Sequence, residues 1–305
     1  MTSNPFHTRR EVRVPGGELS VAQAGPSPGD AEAVVLAVHG ITSSHMAFRA
    51  TARELGIMPG HCVLAPDLRG RGRSSLPGPY GFAQHISDLL EVMNATGVDR
   101  VVLVGHSMGA YVGARLAAEH PDRIAALVLI DGGLPMPLPP ESDREAILGT
   151  VIEQATARLE MTFTTVDEYV DLWRAHPAML NQWNDDVDAY ARYDLVGEPG
   201  ALRCVVSKAA VAVDCRDLMY DEPTRTALDR MQAPLHLVRA EFGLFNDDPV
   251  LPGPIVDNFA ATHPDAKIEL VDGANHYTLV FAASGPKRIA AAIEAALPAL
   301  SGRGT

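Results

Sequence analysis

Short, uninterrupted apolar runs alternate with amphipathic stretches along most of this chain. Ala33–Val38, Cys62–Ala65, Val101–Val104, Ala125–Ile130, Leu235–Val238 and Ile268–Val271 have the length and branched-residue content of buried strands. Phe48–Leu55, Phe82–Thr96 and Lys287–Ala296 carry apolar residues at helical spacing between or after them. Glu11–Val14 and Glu18–Ala22, on either side of Pro15-Gly16-Gly17, predict an opening hairpin. Strands alternating with helices imply an α/β fold, with a mainly parallel sheet covered on both faces. Ligands of such sheets bind beyond the carboxyl ends of the strands.

The rhythm breaks between about Leu134 and Thr226. The stretch opens with a stiff proline-rich connector, Leu134-Pro135-Met136-Pro137-Leu138-Pro139-Pro140. Helical patterns follow at Glu141–Glu160, Val166–Ala175 and Asp185–Tyr193. Both tryptophans, Trp173 and Trp183, fall here, with Phe163, Tyr169, Tyr190 and Tyr193. The expected organisation is a helical cap, residues 134–226, inserted into a core made of residues 1–133 and 227–305. Most of the cap's aromatic residues should hold its own small core, and one or two should wall the cleft.

The most specific local pattern is Gly105-His106-Ser107-Met108-Gly109, directly after the strand Val101–Val104 and before the helical stretch Ala110–Leu116. Strand, G-x-S-x-G and helix in that order predict a nucleophile elbow. Small residues at 105 and 109 let strand and helix approach closely, and the tight turn thrusts the serine hydroxyl outward. The helix N-terminus supplies partial positive charge where an oxyanion would form.

Composition narrows the partners. The 305-residue chain is 47% hydrophobic, with no sign of disorder, and its net charge of −13 argues against nucleic acid. No apolar run approaches a membrane span and the N-terminus shows no signal-peptide core, so a cytoplasmic protein without a membrane partner is expected. Three cysteines, Cys62, Cys204 and Cys215, do not make a disulfide framework. The histidines and carboxylates lack short ligand spacings, and Gly70-Arg71-Gly72 lacks the third glycine of a dinucleotide fingerprint. Neither a metal nor a cofactor is expected.

Four features in order resemble the α/β-hydrolase superfamily, in its capped group with a His-Gly oxyanion loop. They are His39-Gly40 after a strand, Asp67-x-Arg69-Gly70-x-Gly72-x-Ser74, the Ser107 elbow, and His276 after the last strand. The resemblance implies Ser107 as nucleophile and His276, one of eleven histidines, as its base. It implies an oxyanion hole from the backbone N–H groups of Ile41 and Met108. The triad acid has two family positions. After Leu235–Val238 no acid stands at the usual offset, although Glu241, Asp247 and Asp248 are near. The other position, after the strand that follows the nucleophile helix, holds Asp131. The irregular later turn favours Asp131, with the other three as alternatives.

A serine nucleophile forms an acyl ester, so the substrate should present a carbonyl with a leaving group. The expected reaction is hydrolysis of a carboxylic ester or lactone with a bulky, mostly apolar portion. The alternatives are a carbon–carbon bond hydrolase of the meta-cleavage type and a ligand-perception protein of the same fold; a non-hydrolytic lyase is a weaker one. In the carbon–carbon hydrolase, Arg144, Arg158, Arg174 or Arg192 would bind a substrate carboxylate. A homodimer contact through the apolar cap stays open.

Overall fold

The computed structural model describes residues 3–56, 60–282 and 284–297. The strands are β1 (Thr8–Val14), β2 (Gly17–Ala24), β3 (Ala33–Val38), β4 (His61–Pro66), β5 (Val101–His106) and β6 (Ile124–Ile130), followed by β7 (Thr162–Phe163), β8 (Leu195–Val196), β9 (Leu202–Cys204), β10 (Leu235–Phe242) and β11 (Lys267–Asn275). Eight of them form one sheet in the order β1-β2-β4-β3-β5-β6-β10-β11. Only the opening hairpin and its edge with β4 are antiparallel; every other pairing is parallel.

Central position explains the apolar runs. Every residue of β3, β5 and β6 is buried, because helices cover both faces. Phe82–Ala95, Met108–Glu119 and Gly253–Thr262 pack on one face, and Arg49–Leu55 with Ser284–Ala296 on the other. The edge strand β1 instead alternates exposed and buried positions.

The segment between β6 and β10 leaves the sheet. It holds the helices Arg144–Thr156, Val166–Arg174, Asp185–Tyr193 and Lys208–Tyr220 and the small sheet β7-β9-β8. Its aromatic residues Phe163, Tyr169, Trp173 and Tyr190 join the apolar cluster on the Arg49–Leu55 side of the main sheet. The short helices Glu222–Arg225 and Ala227–Arg230 already pack against Met108–Glu119. The boundary expected at residue 226 falls between these two helices. Lys208–Tyr220 went unread in the sequence because its buried inner face includes a charged residue, Asp214.

Polar ties fasten this segment to the core. Arg49 and Arg53 both bond Asp186, the Tyr193 hydroxyl donates to Asp67 at 2.6 Å, and the Phe82 N–H donates to Asp217 at 2.8 Å. Among the described residues, no helix is long and apolar enough to cross a membrane.

Candidate active site

Ser107, Asp131, His276 and the His39-Gly40 loop all follow the carboxyl ends of strands, and those strands lie side by side in the sheet apart from the interposed β10. Ser107 sits between β5 and the helix Met108–Glu119 with φ 55° and ψ −121°. This left-handed conformation costs a non-glycine residue about 1–3 kcal/mol. Its surroundings enforce it: a Cβ on Gly105 would lie 2.2 Å from the Gly109 carbonyl oxygen, and one on Gly109 would lie 2.0 Å from that of Val38. The two glycines thus permit the approach that the sequence pattern predicts. Met108 opens the helix, so its N–H has no partner within that helix.

Asp131 continues the β6–β10 ladder past its last paired residues. Its N–H donates to the Val238 carbonyl at 2.9 Å, and its Oδ1 accepts from the Ala240 N–H at 3.1 Å. The carboxylate thus takes the place of the next backbone acceptor. Oδ2 is left to accept from Nδ1 of His276 at 2.7 Å. Both residues are buried. A register shift between β10 and β11, at Ala240 and Phe242, precedes His276.

Two of the alternative acids are engaged elsewhere. Asp247 Oδ1 accepts from the Phe245 N–H inside its own turn at 3.2 Å, and Glu241 accepts from the Gly273 N–H at 2.7 Å. Both face a separate surface depression, shared with Asp248. Of the four candidates, the structure brings only Asp131 within hydrogen-bond distance of His276.

Other histidines brace the frame. His39 donates from Nδ1 to the Gly40 carbonyl at 2.8 Å and accepts the Leu68 N–H on Nε2 at 3.0 Å. Burial, above all, lowers its pKa from 6.5 to about 4, so it stays neutral. His106 donates from Nε2 to the His276 carbonyl at 3.1 Å, and burial likewise holds it well below its ordinary range. His45 and His85, which carried no motif, face buried carboxylates: His45 lies 2.9 Å from Asp67 and His85 3.0 Å from Asp214.

Ser107 and His276 line one pocket with Ile41, Ser43, Tyr190, Leu244 and Phe281. Its volume is about 50 Å³. Trp173, Tyr169 and Phe163 are buried in the cluster shared with the main sheet, and of the inserted segment's aromatic residues Tyr190 lines the pocket. Leu244, from the loop after β10, forms a wall that the sequence did not single out. Among the described residues, no arginine or lysine lines the pocket. Arg158 bonds Asp194, Arg174 bonds Asp171, and Arg192 bonds Asp188 and Asp167, while Arg144 donates to the Pro139 carbonyl. Among the described residues, no group of three His, Cys, Asp or Glu side chains is arranged to hold a metal ion.

Comparison with known proteins bears on the fold. A family profile described as alpha/beta hydrolase fold matches residues 33–184. Over 114 residues, 37% of this chain, the sequence is 40% identical to Lipase LipV of Mycobacterium tuberculosis (strain H37Rv). Over 106 residues, 34% of this chain, it is 39% identical to the putative carbamate hydrolase RutD of Variovorax paradoxus (strain S110). These matches span 41% and 39% of the two relatives, about two fifths of their length. Among solved structures, E-2-(acetamidomethylene)succinate hydrolase superposes with a TM-score of 0.76 at 22% identity, over 95% of this chain and 99% of that one. The thioesterase domain from the curacin biosynthetic pathway gives 0.75 at 21% identity, over 94% and 99%. Fold, strand-end placement and sequence match converge: the chain belongs to the α/β-hydrolase superfamily.

Proposed function

We propose that this protein is a serine hydrolase that cleaves small, uncharged carboxylic esters or lactones through an acyl-enzyme intermediate. The observation that carries the reading is the Asp131–His276 hydrogen bond at 2.7 Å, with His276 and Ser107 lining one apolar pocket. In this reaction Ser107 Oγ attacks the carbonyl carbon while Nε2 of His276 takes the hydroxyl proton. Asp131 keeps the proton of His276 on Nδ1, so that Nε2 is free to act, and stabilises the imidazolium that forms. The N–H groups of Ile41 and Met108 receive the oxyanion, aided by the N-terminus of the helix Met108–Glu119. The protonated His276 then gives its proton to the leaving alcohol, and water releases the acyl group by the reverse sequence.

The pocket also bears on substrate class. A meta-cleavage substrate carries a carboxylate, which needs a cation, and the four arginines suggested for that role are committed to other partners. The small apolar cavity suits a short acyl chain. The test is hydrolysis of p-nitrophenyl acetate, butyrate and octanoate and of a small lactone panel, by the native protein and Ser107→Ala. Turnover of the short substrates that vanishes in the variant supports the reading. Equal rates in both proteins refute it, and so does an absence of turnover by the native protein on every substrate. The second refutation would favour a ligand-perception role.

A further inference from the structure

Two fully buried guanidinium groups come from the loop after β4, and they hold different things. Arg69 forms a fork on Asp88, with both bonds at 2.9 Å, and donates to the carbonyls of Pro15 and Pro77. Its partners all lie outside the pocket. Arg71 reaches the oxyanion loop instead. Its Nε donates to the Ile41 carbonyl at 3.0 Å, and one terminal nitrogen donates to the Arg69 carbonyl at 2.9 Å. The other terminal nitrogen stands 2.5 Å from Oδ2 of Asp214, on the helix Lys208–Tyr220 of the inserted segment. The same carboxylate oxygen faces Nε2 of His85 at 3.0 Å. All three side chains are shut off from solvent.

A buried ion pair contributes little to stability once the desolvation of both charges is counted. What it holds in place is then the better clue to its role, and here that is the backbone of Ile41. The C=O and N–H of one trans peptide unit point in opposite directions. The Gly40 carbonyl is fixed by Nδ1 of His39 and by the Ser43 N–H, which sets the unit carrying the Ile41 N–H. Arg71 fixes the next unit through the Ile41 carbonyl. The two soft dihedrals of Ile41 are therefore clamped from both sides.

We propose that Arg71, anchored by Asp214, is a positioning residue that locks the Ile41 backbone so that its N–H stays aimed at the oxyanion. The proposal rests on the serine-hydrolase reading. Arg71 touches no substrate, so its loss should lower kcat and leave KM nearly unchanged.

Removing Arg71 alone would strand a buried carboxylate, so the pair is exchanged together as Arg71→Met with Asp214→Leu, a swap that folded proteins often tolerate. Arg71→Lys is the second variant; it keeps the charge but not the fork that serves Ile41 and Asp214 at once. Steady-state kinetics on p-nitrophenyl acetate and amide hydrogen exchange across Ile41–Ser43 are measured on the full chain. The expected result for the double variant is a kcat lower by about 10- to 100-fold, approaching the loss of one oxyanion donor. KM should hold, and exchange should quicken in that loop alone. Arg71→Lys should fall between the native protein and the double variant. Native kcat in the double variant, or unchanged exchange across Ile41–Ser43, overturns the proposal. If the native protein hydrolyses no ester, the functional reading fails separately, and the exchange result still decides whether Arg71 holds the loop.

Discussion

His276 and Asp131 meet through a 2.7 Å hydrogen bond, although the strands that deliver them, β11 and β6, are separated by β10. The carboxylate reaches across by taking the next acceptor place in the β10 ladder. Replacing Asp131 with Asn should remove the charge that stabilises the imidazolium and should favour the wrong tautomer, lowering kcat by about 10⁴-fold. Asp247→Asn and Asp248→Asn should leave kcat at the native level. Steady-state kinetics of the three variants checks this, and the reverse ranking would move the acid to the later loop.

Leu244 belongs to that later loop, which in this chain carries no acid bonded to His276. Its side chain walls the pocket, so Leu244→Ala should admit longer acyl chains. The ratio of kcat/KM for p-nitrophenyl hexanoate to that for the acetate should rise about tenfold, the worth of one or two methylenes in an apolar pocket. An unchanged ratio would show that acyl length is set elsewhere.

Acid should weaken the fold before it protonates most carboxylates. His39 has a pKa of about 4 when folded against 6.5 in its ordinary state, so the unfolded chain binds the extra proton between those values. Stability from this group is complete above pH 6.5 and is lost as pH falls toward 4, by about 3 kcal/mol in all. His106 acts in the same direction. Asp67 adds a second loss at lower pH. Burial pushes its carboxyl up, but His45, His39 and the Tyr193 hydroxyl together hold it at about 2, against 3.8 ordinarily. Its contribution is present above pH 3.8 and disappears as pH falls toward 2. Calorimetry between pH 7 and 4.5 should show Tm falling, with a shallower slope in His39→Gln. A flat Tm over that range contradicts the assignment.

Asp186 carries two cations across the junction between the inserted segment and the core, Arg49 nearly buried and Arg53 partly exposed. Asp186→Ala leaves the Arg49 charge without this carboxylate. The expected cost is about 2–3 kcal/mol, below the full buried-pair value because Arg53 is partly solvated. Thermal unfolding should register it as a Tm lower by several degrees, whereas an unchanged Tm would mean that the junction is held by its other ties.

How legible the molecule was depended on whether a residue's surroundings repeat in the local pattern. The apolar runs that became β3, β5 and β6 read correctly because central strands of a parallel sheet are buried on both faces. The elbow read correctly because only glycine fits at 105 and 109. The carboxylate that bonds His276 was legible only as a choice among four, since an aspartate's reach is a matter of ladder register rather than of spacing. The placement of Arg71 behind the Ile41 loop, of Leu244 at the pocket and of the helix Lys208–Tyr220 against the core was not legible. A buried charge such as Asp214 looks like a surface residue until its partner is placed, and that partner lies far off in the chain. The aromatic residues of the inserted segment were legible as mostly core, with Tyr190 lining the pocket.

The most direct test of the central claim is mass spectrometry of the protein quenched within the first turnovers of p-nitrophenyl acetate. The expected result is one added acetyl group on the peptide that contains Ser107, absent in Ser107→Ala and formed far more slowly in Asp131→Asn. Turnover without an adduct, or an acetyl group on another residue that accounts for the turnover, would contradict a Ser107 acyl-enzyme.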